Sequence, residues 1–212
     1  MPHLLQLDSS ARTRSFSRAL TARFARTWVE GGNTHTYRDL AANPVPPIGE
    51  GWTQICDTLL REGITQPADY PSAVRTPAQQ EAWSVVEPLL AELLAADAVV
   101  IGCPMYNYSV PGALKTWLDQ VTFPRMSLAG RSFFVMGARG GSYLPGTPRA
   151  PFDYHERYLR DFFAGHFAVE DVTFVHAELT NTLVDPVIAH LEAEHRASAT
   201  AAEERAVQMA RR

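Results

Sequence analysis

Three segments bring together residue types that could grip an anionic, flat ligand. The first runs from Asp8 to Ser17. It holds Ser9, Ser10, Thr13, Ser15 and Ser17, with Arg12, Arg14 and Arg18 nearby. Phe16, Leu20, Phe24 and Trp28 then recur at i, i+4 and i+8, an amphipathic helix. The serines therefore sit beside a helix N-terminus, whose free N–H groups and partial positive charge suit an anion. An ordinary N-cap with solvated serines has the same composition. Neither G-x-G-x-x-G nor G-x-x-x-x-G-K-[ST] occurs, so the loop favours a monophosphate over a dinucleotide or a nucleoside triphosphate.

The second segment is Pro104 to Gly112, continuing as Ala113-Leu114-Lys115-Thr116-Trp117-Leu118-Asp119. Met105, Tyr106 and Tyr108 offer apolar and aromatic surface for a flat ring system, and Asn107 offers amide or backbone donors to a polar edge. Met and aromatic residues at a strand end are more often core, but their tight order here argues for a contact surface. Lys115 and Asp119 are spaced as a surface ion pair on a helix. The third segment is Ala138-Arg139-Gly140-Gly141-Ser142-Tyr143. Adjacent glycines let backbone N–H groups approach a ligand. Arg139 adds fixed positive charge where negative charge on a heterocycle would need it. A flexible turn is the alternative.

Other chemistries are less well served. A serine hydrolase needs a G-x-S-x-G elbow, and Gly140-Gly141-Ser142-Tyr143-Leu144 ends in leucine. His155-Glu156-Arg157-Tyr158 lacks the second histidine of a zinc helix, and His190 and His195 are five apart. A net charge of -4 and a pI near 6.0 argue against a nucleic-acid partner. No apolar run is long enough for a bilayer span, and the first residues lack the basic and apolar regions of a signal peptide. Two cysteines, Cys56 and Cys103, make no disulfide framework, so a reducing cytoplasm is the expected setting.

The elements that must position these loops alternate between short apolar runs and helical patterns, the signature of βαβ units. Expected strands are Leu4 to Leu7, Thr34 to Asp39, Ala98 to Gly102, Ser132 to Met136 and Val169 to Val175. Gly31-Gly32-Asn33 stops the first helix. Thr76, Pro77 and Gln79 form a helix start with a capping box, and Pro88 predicts a kink farther on. Shorter helices are expected at Trp52 to Leu60 and Tyr154 to Phe163, and Asp185-Pro186 should open a last one toward Met209. Residues 1–212 read as a single α/β domain, a doubly wound five-stranded parallel sheet with helices on both faces. Residues 49–75 lack a clean period and read as an insertion. In such sheets ligands bind beyond the carboxyl ends of the strands, where all three loops fall.

On Leu7-Asp8-Ser9-Ser10, Ser15-Phe16-Ser17, Arg38-Asp39-Leu40-Ala41-Ala42-Asn43-Pro44, the run Pro104 to Asp119 and Arg139-Gly140-Gly141, the chain resembles the FMN-dependent NADH azoreductase and quinone reductase family, of flavodoxin-like fold. The resemblance implies that Ser10, Ser15, Phe16 and Ser17 hold the FMN phosphate. Met105, Tyr106, Asn107 and Tyr108 would line the isoalloxazine ring, and Ala138, Arg139, Gly140 and Gly141 would contact its pyrimidine edge. It further implies NADH or NADPH as donor, a quinone or azo compound as acceptor in a ping-pong cycle, and a homodimer with the substrate pocket at the subunit interface. Relative to the family, the loop from Thr122 to Gly130 is short, so residues 49–75 are expected to replace the missing pocket roof. Ala138 stands where a serine is common. A flavodoxin-type electron carrier and a scaffold without flavin are the non-enzymatic alternatives.

Overall fold

The computed structural model describes residues 1–212. Five parallel strands form one sheet: β1 (His3–Asp8), β2 (Thr34–Asp39), β3 (Ala98–Pro104), β4 (Ser132–Ala138) and β5 (Val172–Ala177), in the order β2-β1-β3-β4-β5. Six α-helices connect or follow them: α1 (Phe16–Glu30), α2 (Glu50–Glu62), α3 (Pro77–Ala95), α4 (Gly112–Val121), α5 (Tyr154–Phe167) and α6 (Glu192–Ala210). The doubly wound α/β architecture is the one expected. The chain leaves β1 toward β2 on one side and returns to β3 on the other, so the order reverses between β1 and β3 and opens a crevice at their carboxyl ends.

Strand periodicity divides the core between the two faces. Leu5, Leu7, Val99, Ile101, Phe133 and Val135 join the side chains of α3, α4 and α5 in one cluster. Leu4, Ala98, Val100, Phe134, Met136 and Val175 join those of α1 and α6 in the other. β3 is buried along its whole length, which is why Ala98-Val99-Val100-Ile101 is apolar without alternation.

Local signals placed most helix starts. Thr76 accepts from Gln79 N–H, and the Gln79 side chain reaches back to the Thr76 N–H, closing the capping box. Pro88 lies inside α3 without ending it. Gly32, at φ 84, supplies the left-handed residue after α1.

Three expectations change. β5 starts at Val172 rather than Val169, because Ala168 is left-handed and the Val169 N–H closes on the Phe163 carbonyl, ending α5. Asp185-Pro186 does not open α6. The Asp185 N–H is taken by the Asn181 carbonyl and its side chain by Val187 N–H, so the chain turns there and α6 begins at Glu192. Residues 49–75 form α2, which packs on α3, and a 3-10 segment (Pro67–Ala73), which packs on α2. Gly51 admits the approach of α2 to α3, since a Cβ there would collide with the Ala78 carbonyl. None of these residues reaches the cleft, so they do not roof it. The short loop also stays away from the cleft: Phe123, Met126 and Leu128 are buried in the core, Phe123 among Trp52, Tyr70 and Trp83.

Candidate functional site

The three loops meet. Tyr106 carries the first junction: its hydroxyl accepts from Ala11 N–H at 3.2 Å and lies 3.5 Å from Ser10 Oγ. Met105 N–H donates to the Ala138 carbonyl at 2.9 Å, tying the second loop to the third. The Tyr108 ring packs edge-on to Tyr143 with centroids 6.4 Å apart, and lies 5.7 Å from Phe152. The cleft between the loops is one part of an open groove of about 1510 Å³ that continues along α1 as far as Glu30. Ser10, Ser15, Phe16, Met105, Tyr106, Asn107, Tyr108, Ala138, Gly140 and Gly141 all line it.

At the first loop Ser15 is the N-cap of α1, its hydroxyl accepting from Arg18 N–H at 3.3 Å. The N–H groups of Phe16 and Ser17 in the first turn keep no intrahelical partner. Ser17 itself is fully buried and does not line the cleft; its hydroxyl lies 3.3 Å from that of Ser15. Only its backbone is placed to meet an anion. Ser9 is structural, with Oγ and N–H both on the Gly102 carbonyl at 2.7 and 3.0 Å.

In the second loop, Tyr106 to Ser109 is a two-residue hairpin turn, closed in both directions at 2.9 Å. Asn107 and Tyr108 both have positive φ, 48° and 68°. Asparagine tolerates that region; tyrosine pays for it with backbone strain, a feature that clusters at ligand sites.

In the third loop the carbonyls of Arg139, Gly140 and Gly141 accept from Thr180, Asn181 and Leu179 N–H groups at 3.0, 3.2 and 3.2 Å. The N–H groups of Gly140 and Gly141 make no bond within the chain and remain available to a ligand. Arg139 departs from expectation. Its N–H is spent on the Ala177 carbonyl, and its side chain, in a residue only 2% exposed, turns away from the cleft. Nη1 lies 2.9 Å from Asp153 and 3.2 Å from Glu178, and Nη2 lies 2.8 Å from His176 Nε2. The guanidinium anchors the loop from beneath and does not itself line the cleft.

Beneath this loop lies a buried polar layer that sequence reasoning missed. His155 Nε2 is 3.1 Å from Cys103 Sγ. Burial holds the His155 pKa down at about 3, helped by neighbouring His176 and Arg139, and pushes the Cys103 thiol up. Burial also lowers His176. His195 belongs to the core: Nδ1 is 2.8 Å from the Glu178 carbonyl, and its ring packs edge-on to Phe16. Thr180, Asn181, Leu183 and Val184, after β5, complete the cleft wall. Their one sequence signal is an apolar Leu183-Val184 pair in an otherwise polar turn. Ser142 does not line the cleft and has no histidine partner, which removes the support for a hydrolase.

A phosphorylated planar heterocycle fits these walls: free N–H groups at each end, aromatic and thioether surface between, and glycines where side chains would intrude. At Gly141 a Cβ would press on the Arg149 side chain at 2.9 Å. Fold and cleft together define a doubly wound flavodoxin-like protein, and residues 2–202 match a family model described as having the flavodoxin-like fold. The chain is 64% identical over 200 residues to an FMN-dependent NADH:quinone oxidoreductase of Nocardia farcinica, covering 93% of each chain. It is 40% identical over 202 residues to one of Streptomyces avermitilis, covering 90% of this chain and 87% of that one. The chain belongs to this family of FMN-dependent NADH:quinone oxidoreductases. An azoreductase structure from Bacillus anthracis superposes with TM-score 0.76 at 21% identity, covering 100% of this chain and 99% of the other, and shares the fold.

Proposed function

We propose that the cleft holds FMN and that the protein passes electrons from NADH to quinones or azo compounds. The observation that carries this reading is the union of three ligand-type loops in one cleft, in a chain so similar to enzymes of that name. Ser10, Ser15, Phe16 and Ser17 would receive the phosphate, the last two through backbone N–H groups at the start of α1. Met105, Tyr106, Asn107 and Tyr108 would face the ring. Gly140 and Gly141 would donate N–H groups to its polar edge beside Ala138, with Arg139 holding them in place from below.

When bound, FMN supplies the redox chemistry, accepting hydride from the nicotinamide and passing two electrons to the acceptor. The chain's own part is placement. Phe16 and Met105 would present apolar surface to the bound group, and no side chain is required as nucleophile or base.

We further propose a homodimer in the cytoplasm, built on one unit of 1–212 with 49–75 inserted beside α3. Leu144, Phe152, Leu183, Val184 and Val187 are exposed, Val184 and Val187 by 75% and 78%. Such apolar surface beside a cleft suits a second copy. No helix is long and apolar enough to cross a membrane, and both cysteines are buried free thiols, which suits a reducing compartment.

The test is to add FMN to purified protein, record the visible spectrum, and follow NADH oxidation with and without a benzoquinone. Retained yellow colour with quinone-dependent NADH consumption is expected. Protein that stays colourless sinks the reading. Bound FMN without turnover would mark an electron carrier instead.

A further inference from the structure

The phosphate end of the cleft contains a carboxylate that an anion site would not ordinarily keep. Asp8 ends β1 two residues before Ser10, its side chain is 4% exposed and borders the groove, and one guanidinium, that of Arg18, lies against both Asp8 and the Ser10 carbonyl. Oδ1 accepts from Thr21 Oγ1 at 2.8 Å. Oδ2 lies 3.7 Å from Arg18 Nη1, beyond hydrogen-bonding range.

That guanidinium is already engaged. Its two terminal nitrogens donate to Asp39 at 2.7 and 2.8 Å. Nη1 also donates to the Tyr37 hydroxyl at 3.1 Å, and Nη2 to the Ser10 carbonyl at 2.8 Å. One cation thus serves two carboxylates, and Asp39 takes the hydrogen bonds. Those bonds from Arg18 hold Asp39 down at about 2. β3 contributes only Gly102 against Asp8, where a Cβ would collide with Oδ1, so no charge comes from that side. Arg12 and Arg14 line the cleft from the exposed part of the first loop. Burial, reinforced by the like charge of Asp39 and only partly offset by the Thr21 hydroxyl, Arg18 and the neighbouring Tyr37 hydroxyl, leaves Asp8 pushed up to about 6.

We propose that Asp8 takes up a proton from solvent when the flavin's phosphate is seated, so that FMN binding and protonation of this carboxyl are linked. The inference rests on the first loop holding the phosphate. A phosphate monoester brings nearly two negative charges at neutral pH. Next to it, an ionised and poorly paired Asp8 is repelled, whereas a protonated Asp8 is neutral and gains an O–H donor. By linkage, FMN affinity then falls toward tenfold per pH unit above the pKa of Asp8 in the free protein.

Titration calorimetry of flavin-free protein with FMN near pH 7.5, in buffers of different ionisation enthalpy, reads the protons taken up. Uptake approaching one proton per FMN is expected, together with none in Asp8→Asn. Thr21→Val removes a bond that favours the ionised carboxylate, so its flavin-free form already carries more of the proton and its uptake near pH 7 falls. That variant serves if Asp8→Asn does not fold. No uptake by the unaltered protein, or undiminished uptake in either variant, overturns the proposal. Riboflavin separates the two levels of the argument. Binding as tight as FMN would overturn the phosphate assignment itself; a strong preference for FMN without proton uptake would overturn the role of Asp8 alone.

Discussion

Arg139 Nη1 lies 3.2 Å from Glu178 Oε1 in a pair that is almost wholly buried, and the other Glu178 oxygen accepts from Tyr143 N–H at 2.6 Å. Two loops, one leaving β4 and one leaving β5, are thereby fixed to each other under the cleft. Asp153, at the start of α5, joins the same guanidinium. Removing one member of a buried pair strands the other, at a cost of about 3–5 kcal/mol. Arg139→Ala is therefore expected to lower the unfolding free energy in urea by about 3 kcal/mol and, through the loosened loop, to weaken FMN retention. Unfolding like that of the unaltered protein, with only the rate of NADH oxidation reduced, would return Arg139 to a direct role at the cofactor.

Arg139 also marks the limit of what the sequence discloses. A basic residue beside two glycines at a strand end reads as a ligand contact. What turns it inward is a set of acids far along the chain, Asp153, Glu156 and Glu178, that no local pattern connects to it. Ser17 is similar: its type suits phosphate, yet its place at the second position of α1 buries the hydroxyl and leaves the backbone for the task. Strands, helix starts and loop identities were legible because they are local, set by period, caps and composition. The start of β5 was not, since Val169-Glu170-Asp171 reads as the approach to a strand while the left-handed Ala168 gives Val169 to the end of α5. The role of residues 49–75 was equally hidden, because nothing local says against which helix an irregular segment will pack.

The Tyr106 to Ser109 turn should be sensitive to backbone chemistry more than to side-chain polarity. Both central residues are left-handed. Asn107→Gly keeps that conformation accessible and should change stability by less than about 0.5 kcal/mol. Asn107→Val, β-branched, should cost roughly 2 kcal/mol and weaken FMN binding by displacing Tyr106 and Tyr108. Thermal unfolding and FMN titration of the two variants check this. Equal behaviour would mean that the turn relaxes at no cost and does not set the ring wall.

The buried histidines give stability a definite pH dependence. His155 has a folded pKa near 3, set first by burial, against an ordinary value of 6.5. Between those values the unfolded chain binds a proton at this residue that the folded chain refuses. Stability is therefore complete above about pH 6.5 and falls as the pH drops, by up to about 1.4 kcal/mol per unit from His155 alone. Asp8 works the other way between its ordinary value and about 6, since there the folded protein holds the extra proton. Acidification from about pH 6.5 to 5 should nonetheless destabilise, because His176 is lowered as well. Urea unfolding of flavin-free protein across that range measures the slope, and His155→Leu should reduce it. A slope unchanged by that substitution would remove His155 as its source.

Gly102 and Asp8 should prove energetically coupled. A Cβ at Gly102 would overlap the Asp8 carboxylate and sit 3.2 Å from Thr21 Cγ2, so Gly102→Ala overpacks the wall between β1 and β3. Such insertions cost about 1–3 kcal/mol. Shortening Asp8 to alanine clears the main obstacle and also removes a poorly paired buried carboxylate. Gly102→Ala in the Asp8→Ala background should therefore cost at least about 1 kcal/mol less than in the unaltered protein, a coupling that a double-mutant cycle in urea would read. Additive effects would show that the carboxylate moves aside freely, and that Gly102 is needed only for its approach to Thr21.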